Sequence, residues 1–125
     1  VRHGIGVIVA VAALAVALGL GGCDGSAPSE EGVDLARGEQ LFDNNCAVCH
    51  GVQGTGTVQG PPLVHEIYEP GHHPDEAFRR AVIDGVPQHH WDLGPMPAVP
   101  GLDQGQVDDI IAYVRELQRD AGIIE

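Results

Sequence analysis

Apolar residues fall into four groups along this chain. The first is an uninterrupted run: from Ile5 to Leu20 every residue is Ile, Val, Ala, Leu or Gly. The other three recur at helical spacing. Leu35, Gly38, Phe42 and Cys46 follow one another at steps of three or four, which places them on one face of a helix from about Leu35 to Asn45. Phe78, Ala81 and Val82 make a second stripe, and Val107, Ile110, Ile111, Val114 and Leu117 a third that runs to about Arg119. No stretch alternates apolar and polar positions as a half-buried strand would, so the expected fold is all-α: three main helices and short turns.

Punctuation supports these helices. Asp34 is placed to cap the first, because a short side-chain oxygen accepts one of the free N–H groups of a first turn. Pro74-Asp75-Glu76 opens the second with a proline that needs no N–H and two acids facing the helix dipole, and Gly85 ends it. Asp103-Gln104-Gly105-Gln106 has the form of a capping box for the third, and Gly122 stops it. Val64 to Tyr68 reads as a short helical turn. A helix interior costs glycine about 1 kcal/mol relative to alanine, so Gly38 makes sense where another helix crosses closely.

The first apolar run has a different character. It follows Arg2 and His3, and it ends in Leu20-Gly21-Gly22-Cys23, which resembles a bacterial lipoprotein signal whose cysteine is acylated and becomes the first residue. An uncleaved membrane span is the alternative, although the run is short against the roughly 20 residues a bilayer needs. Asp24 to Gly32 is small, polar and acidic and cannot bury a face, so it reads as a flexible tether. The expected organisation is therefore a leader over 1–22, a tether over 23–33, one domain over 34–122 and a tail over 123–125, exported and held by lipid on Cys23 to the outer, periplasmic face of the cell membrane.

The chemistry concentrates in Cys46-Ala47-Val48-Cys49-His50. Two thiols at this spacing, with a histidine directly after, form the attachment sequence of a c-type haem: the sulfurs add across two vinyl groups of one porphyrin, and His50 then lies beneath the iron. A zinc site would need a second pair of ligands at similar spacing, and a thioredoxin-like pair would need a βαβ setting; neither is present in the sequence. Three cysteines are then accounted for by one haem c and one lipid, leaving none for a disulfide. A covalently held apolar disc also explains how so small a domain, with only 4% aromatic residues, builds a core.

The segment after the motif, Gly51 to Gly60, is rich in glycine but lacks the spacing and preceding strand of a phosphate cradle. It suits a backbone passing close to the haem, and a rigid carbonyl near Pro61-Pro62-Leu63 is placed to accept the free N–H of His50. The sixth iron position falls to Met96, the one methionine, held between Pro95 and Pro97 in a loop, where it has little structural reason to be. His89 and His90 compete for that role, with His65, His72 and His73 behind them. Trp91 offers either an indole N–H to a haem propionate or plain packing on the porphyrin. Arg79 and Arg80 face a similar choice between propionates and nearby acids, and the paired histidines 72–73 and 89–90 read as exposed loop residues rather than metal ligands.

Taken in order, Gly38, Phe42, the Cys46–His50 motif, Gly60-Pro61-Pro62-Leu63 and Met96-Pro97 give the chain a resemblance to class I c-type cytochromes from Leu35 to about Leu117. The resemblance implies a cytochrome c-like fold in which Ile110 and Tyr113 cross over Gly38, Pro61 supplies the carbonyl to His50, and Met96 is the distal ligand. It implies a mono-haem carrier of single electrons between membrane redox complexes, with redox proteins as donors and acceptors, rather than an enzyme. A haem subunit fixed to one oxidoreductase, or a haem enzyme or sensor with an open sixth site, are the alternatives.

Charge narrows the partners. Eighteen acidic residues face six basic ones, a formal net charge of −12, and all six are arginine. A docking face built from a ring of lysines is thereby excluded, and nucleic-acid binding is not expected because phosphates would be repelled. A basic partner surface, or an apolar patch around the haem edge, remains.

Overall fold

The computed structural model describes residues 32–125. The expected leader, Cys23 and all of the tether but its last two residues lie outside the described residues. Leu35–Asn45 forms helix α1, Ala47–His50 the single turn α2, Asp75–Asp84 helix α3 and Gln104–Asp120 helix α4, with 3-10 turns at Val52–Gly54 and Glu66–Tyr68. The fold is all-α, three long helices joined by loops. The end signals act as expected: Asp34 accepts from the N–H of Arg37 at 3.0 Å, and Asp103 and Gln106 exchange a capping box at 2.8 and 2.9 Å. Among the described residues no helix is long and apolar enough to cross a membrane.

The fold is organised by the crossing of α1 over α4. A Cβ added to Gly38 would overlap the carbonyl of Asp109, 2.8 Å from its carbon, and lie 3.1 Å from the Cβ of Tyr113. Only glycine lets the two backbones approach this far. Tyr113 thus stands at the crossing as expected, and the main chain of Asp109, directly before Ile110, makes the nearest approach to Gly38. Ile110 joins Phe42, Tyr113 and Val114 in the larger apolar cluster. Phe42 is fully buried, its ring centroid 5.6 Å from that of Tyr113. Leu35, assigned by periodicity to the same buried face, is 41% exposed, whereas Gly38 and Phe42 on that face are buried. A second cluster joins α3 to α4 through Val82, Val107 and Ile111, with Phe78 packed against both clusters.

The apolar face of α4 also carries three buried polar residues, Asp109, Arg115 and Gln118. Each is held by several hydrogen bonds, as burial requires. Asp109 accepts from the backbone of Asp34 at 2.8 Å and from the guanidinium of Arg37, tying the start of α1 to α4. Arg115 donates to the carbonyls of Tyr68 at 2.6 Å and His73 at 2.5 Å, pairs with Asp75 at 2.8 Å and lies 4.6 Å over the ring of Phe78. Gln118 accepts from Arg115 at 2.7 Å and donates to the carbonyl of Leu63 at 2.8 Å. Together these bonds hold the loop between residues 63 and 75 against the last helix.

Candidate functional site

The cysteine–histidine motif is itself helical. The N–H of Cys46 closes the end of α1 on the carbonyl of Phe42 at 2.7 Å, and the N–H of His50 returns to the carbonyl of Cys46 at 2.9 Å. Cys46, Cys49 and His50 therefore follow one another around a single turn. Neither cysteine is in a disulfide. Burial, and then the neighbouring Cys49, pushes the Cys46 thiol up to about 11, so at neutral pH it is a thiol and not a thiolate.

His50 is buried, and its Nδ1 lies 2.9 Å from the carbonyl oxygen of Pro61. Nδ1–H donates to that oxygen, which leaves the lone pair on Nε2, the arrangement a metal-binding imidazole needs. Burial lowers the pKa of the ring, with the Pro61 carbonyl opposing, so it is held neutral. The glycine-rich loop explains how Pro61 comes so close. A Cβ on Gly60 would sit 2.7 Å from the carbonyl oxygen of Cys49 and 3.2 Å from its Cβ, so any side chain there would push the loop off the motif. Gly56 adds a bond from its N–H to the carbonyl of His50 at 2.6 Å.

Met96 reaches the same region from the other long loop. Its N–H and carbonyl exchange two hydrogen bonds with Val86, each 2.9 Å, forming an isolated antiparallel bridge. His50, Cys46, Pro61, Trp91 and Met96 all line one cavity of about 500 Å³, whose walls are largely apolar and include Phe78 and Ile110. Cys49 is on α2 between Cys46 and His50 but does not line the cavity. The structure thus places five of the expected site residues, Cys46, His50, Pro61, Trp91 and Met96, around one cavity.

The residues fit a haem on the strength of one unsatisfied atom. Among the described residues, Trp91 Nε1 is the buried side-chain nitrogen without a hydrogen-bond partner. Such an orphan costs about 1–3 kcal/mol unless a ligand meets it. Burial raises the pKa of the neighbouring Tyr68 hydroxyl and the indole partly offsets the rise, but the two groups do not meet in full hydrogen-bonding geometry. An apolar cavity with a neutral imidazole, a thioether and an unpaired N–H on its walls suits a porphyrin that is apolar across its face and carries carboxylates at one edge.

The other candidates separate. Arg79 is taken by acids, Glu76 at 2.8 Å and Asp108 at 2.5 Å, while Arg80 lines the cavity. His65 caps the 3-10 turn, its Nδ1 accepting from the N–H of Ile67 at 3.2 Å. His72, His73, His89 and His90 gather on the cavity rim. The sequence reading missed Arg115 and Gln118, which set the far loop; their signal was a polar pair falling on the apolar face of α4, at helical steps from Ile111 and Val114.

Comparison with known proteins agrees with this geometry. The family described as Cytochrome c matches residues 35–118. The chain is 37% identical over 93 residues to the Cbb3-type cytochrome c oxidase subunit FixP of Bradyrhizobium diazoefficiens, covering 72% of this chain and 30% of that protein. It is 34% identical over 89 residues to cytochrome c oxidase subunit 2 of Alkalihalophilus pseudofirmus, covering 66% of this chain and 25% of the relative. Against cytochrome c6 of Thermostichus vulcanus it is 32% identical over 108 residues, covering 85% of this chain and 87% of the relative. The chain spans less than a third of the length of the two oxidase subunits.

Proposed function

Since this chain belongs to the cytochrome c family and carries covalently attached haem c as an electron carrier, we propose that it shuttles single electrons between redox complexes while tethered by lipid on Cys23 to the periplasmic face of the cell membrane. In this reading Cys46 and Cys49 hold the haem through thioethers, His50 and Met96 bind the iron, Trp91 Nε1 meets a propionate, and the domain occupies residues 34–122. The observation that carries the reading is the His50 Nδ1 to Pro61 contact of 2.9 Å on the cavity that Met96 also lines.

Bound haem supplies reversible one-electron chemistry at its iron. The protein's own contribution is to keep two unlike ligands in place. The Pro61 carbonyl holds the His50 ring by its Nδ1–H, which fixes the tautomer and raises the basicity of Nε2. The Val86 bridge holds the backbone of Met96. A thioether is a soft donor that favours the reduced metal and raises the potential. Ligands anchored through the main chain move little when the charge changes, so electron exchange needs little rearrangement. The apolar walls exclude water, and the acidic surface steers the chain toward basic docking faces.

Absorption spectroscopy tests the reading. The oxidised protein is expected to show the weak long-wavelength band of sulfur–ferric coordination, and the reduced protein not to bind carbon monoxide. Met96→Ala should abolish the band and open the site to carbon monoxide. Ready carbon monoxide binding by the unaltered protein would overturn the assignment of Met96.

The names of the FixP and subunit 2 relatives motivate a second reading, a haem domain serving one oxidase. Stoichiometric co-purification with a terminal oxidase from membranes supports it. Exchange of the protein among several partners supports the shuttle.

A further inference from the structure

Four histidines converge from two loops that are separate in sequence. His72 and His73 precede α3, and His89 and His90 follow it. The Nε2 atoms of His72 and His90 lie 3.2 Å apart, and one ring nitrogen from each of His72, His73 and His90 lies within 4.8 Å of the other two. We propose that His72, His73 and His90 form a second metal site, distinct from the His50–Met96 pair, for a divalent ion of imidazole preference such as Zn2+ or Cu2+.

The spacing of His72 and His90 suits such an ion, with His73 within reach. Metal–nitrogen bonds of about 2.0–2.1 Å in tetrahedral array set their nitrogens roughly 3.4 Å apart, close to the His72–His90 separation. A hydrogen bond between those two rings would account for that pair alone. His73 is the best prepared of the three. Its Nδ1–H donates to the carbonyl of Ile67 at 2.7 Å, which turns the lone pair onto Nε2, as in a ligand fixed by an outer hydrogen bond. Burial, opposed by the Ile67 carbonyl, lowers the pKa of His73, with His72, His89 and Arg115 adding to the effect; the exposed His90 is lowered by slight desolvation and by its neighbours His89, His73 and His72, so both rings favour the neutral form that binds metal.

Both loops are braced before any ion arrives. The backbones of His72 and His73 donate to the carbonyl of Glu69 at 3.0 and 2.8 Å, and Arg115 takes the carbonyl of His73 at 2.5 Å. On the other side, Gln88 bridges its loop, donating to Asp92 at 2.9 Å and accepting from the N–H of Gly94 at 2.8 Å. The rings of His72 and His90 are solvent-exposed, so an ion can enter and three imidazoles leave one coordination position open. A formal net charge of −12 enriches cations around the protein.

Calorimetric titration of the haem-loaded, chelator-treated protein with ZnCl2, and separately with CuCl2, tests the site. At least one ion should saturate at a single equivalent and shift the imidazole proton resonances of His72, His73 and His90. His73→Ala should weaken binding tenfold or more, whereas His65→Ala, in a loop histidine outside the cluster, should leave it unchanged. Should His73→Ala disturb the fold, the double variant His72→Ala/His90→Ala, in two exposed side chains, must show the same loss with an unaltered haem spectrum. Absence of saturable binding of both ions, or equal affinity in the double variant and the unaltered protein, would overturn the proposal.

Discussion

Val86 and Met96 hold each other by their main chains, N–H to carbonyl in both directions at 2.9 Å. The bond pair closes the nine residues between them into a loop just after α3 ends, and it fixes where the sulfur of Met96 can reach. Val86→Pro removes one of the two donors. A lost backbone bond costs about 1 kcal/mol net, too little to unfold the domain. The expected outcome is therefore a folded protein whose long-wavelength sulfur–iron band is weakened and whose reduced form takes up carbon monoxide slowly. An undiminished band would show that the prolines flanking Met96 hold it without the bridge.

The crossing of α1 over α4 is expected to be the least tolerant contact in the fold. At Gly38 an added side chain meets backbone, which cannot rotate away. Gly38→Val should cost about 3 kcal/mol or more by overpacking. Tyr113→Ala removes a ring packed on Phe42 and should cost on the order of 3–5 kcal/mol. Thermal melting of the haem-loaded variants, followed by far-ultraviolet circular dichroism, measures both. Unchanged melting in either would place the critical contact elsewhere.

These two sites differ in how far the amino-acid order revealed them. Gly38 was legible because a glycine inside an otherwise regular helical stripe needs a reason, and the cysteine–histidine motif was legible because its spacing matches attachment to two vinyl groups of one porphyrin. The bridge between Val86 and Met96 was not, since a single pair of residues has no alternation to detect. Asp109, Arg115 and Gln118 were passed over because stripes are counted in apolar residues, while the partners of Arg115 and Gln118 include main-chain carbonyls of a loop tens of residues away. The histidine cluster needed the fold itself: His72 and His90 are 18 positions apart, and only the turn of α3 between them brings their rings together.

Arg115 and Gln118 should matter more for the loop than for the helix that carries them. Arg115→Met keeps the volume but leaves the carbonyls of Tyr68 and His73 without their donor. Hydrogen bonds from a charged group contribute about 1.5–3 kcal/mol each, and water can replace part of the loss at the half-exposed end. The melting temperature should fall, and amide hydrogen exchange should quicken between residues 63 and 75 while the middle of α4 stays protected. Uniformly faster exchange would mean that Arg115 supports the whole core rather than the loop.

Trp91 gives a sharper test of where its N–H points. Trp91→Phe keeps an aromatic ring against His65, whose centroid lies 5.2 Å away, and removes only the donor and part of the ring area. If the indole meets a propionate, the carboxylate loses a hydrogen bond that favours its ionised form, so its pKa rises. The reduction potential depends on pH wherever that group titrates, and this pH-dependent segment should move to higher pH in the variant. If the indole only packs, the melting temperature drops slightly for the lost area and the potential–pH curve keeps its position. Potentiometric titration across neutral and acidic pH, run on both proteins, separates the two outcomes, because packing alone cannot shift the pH at which the curve bends.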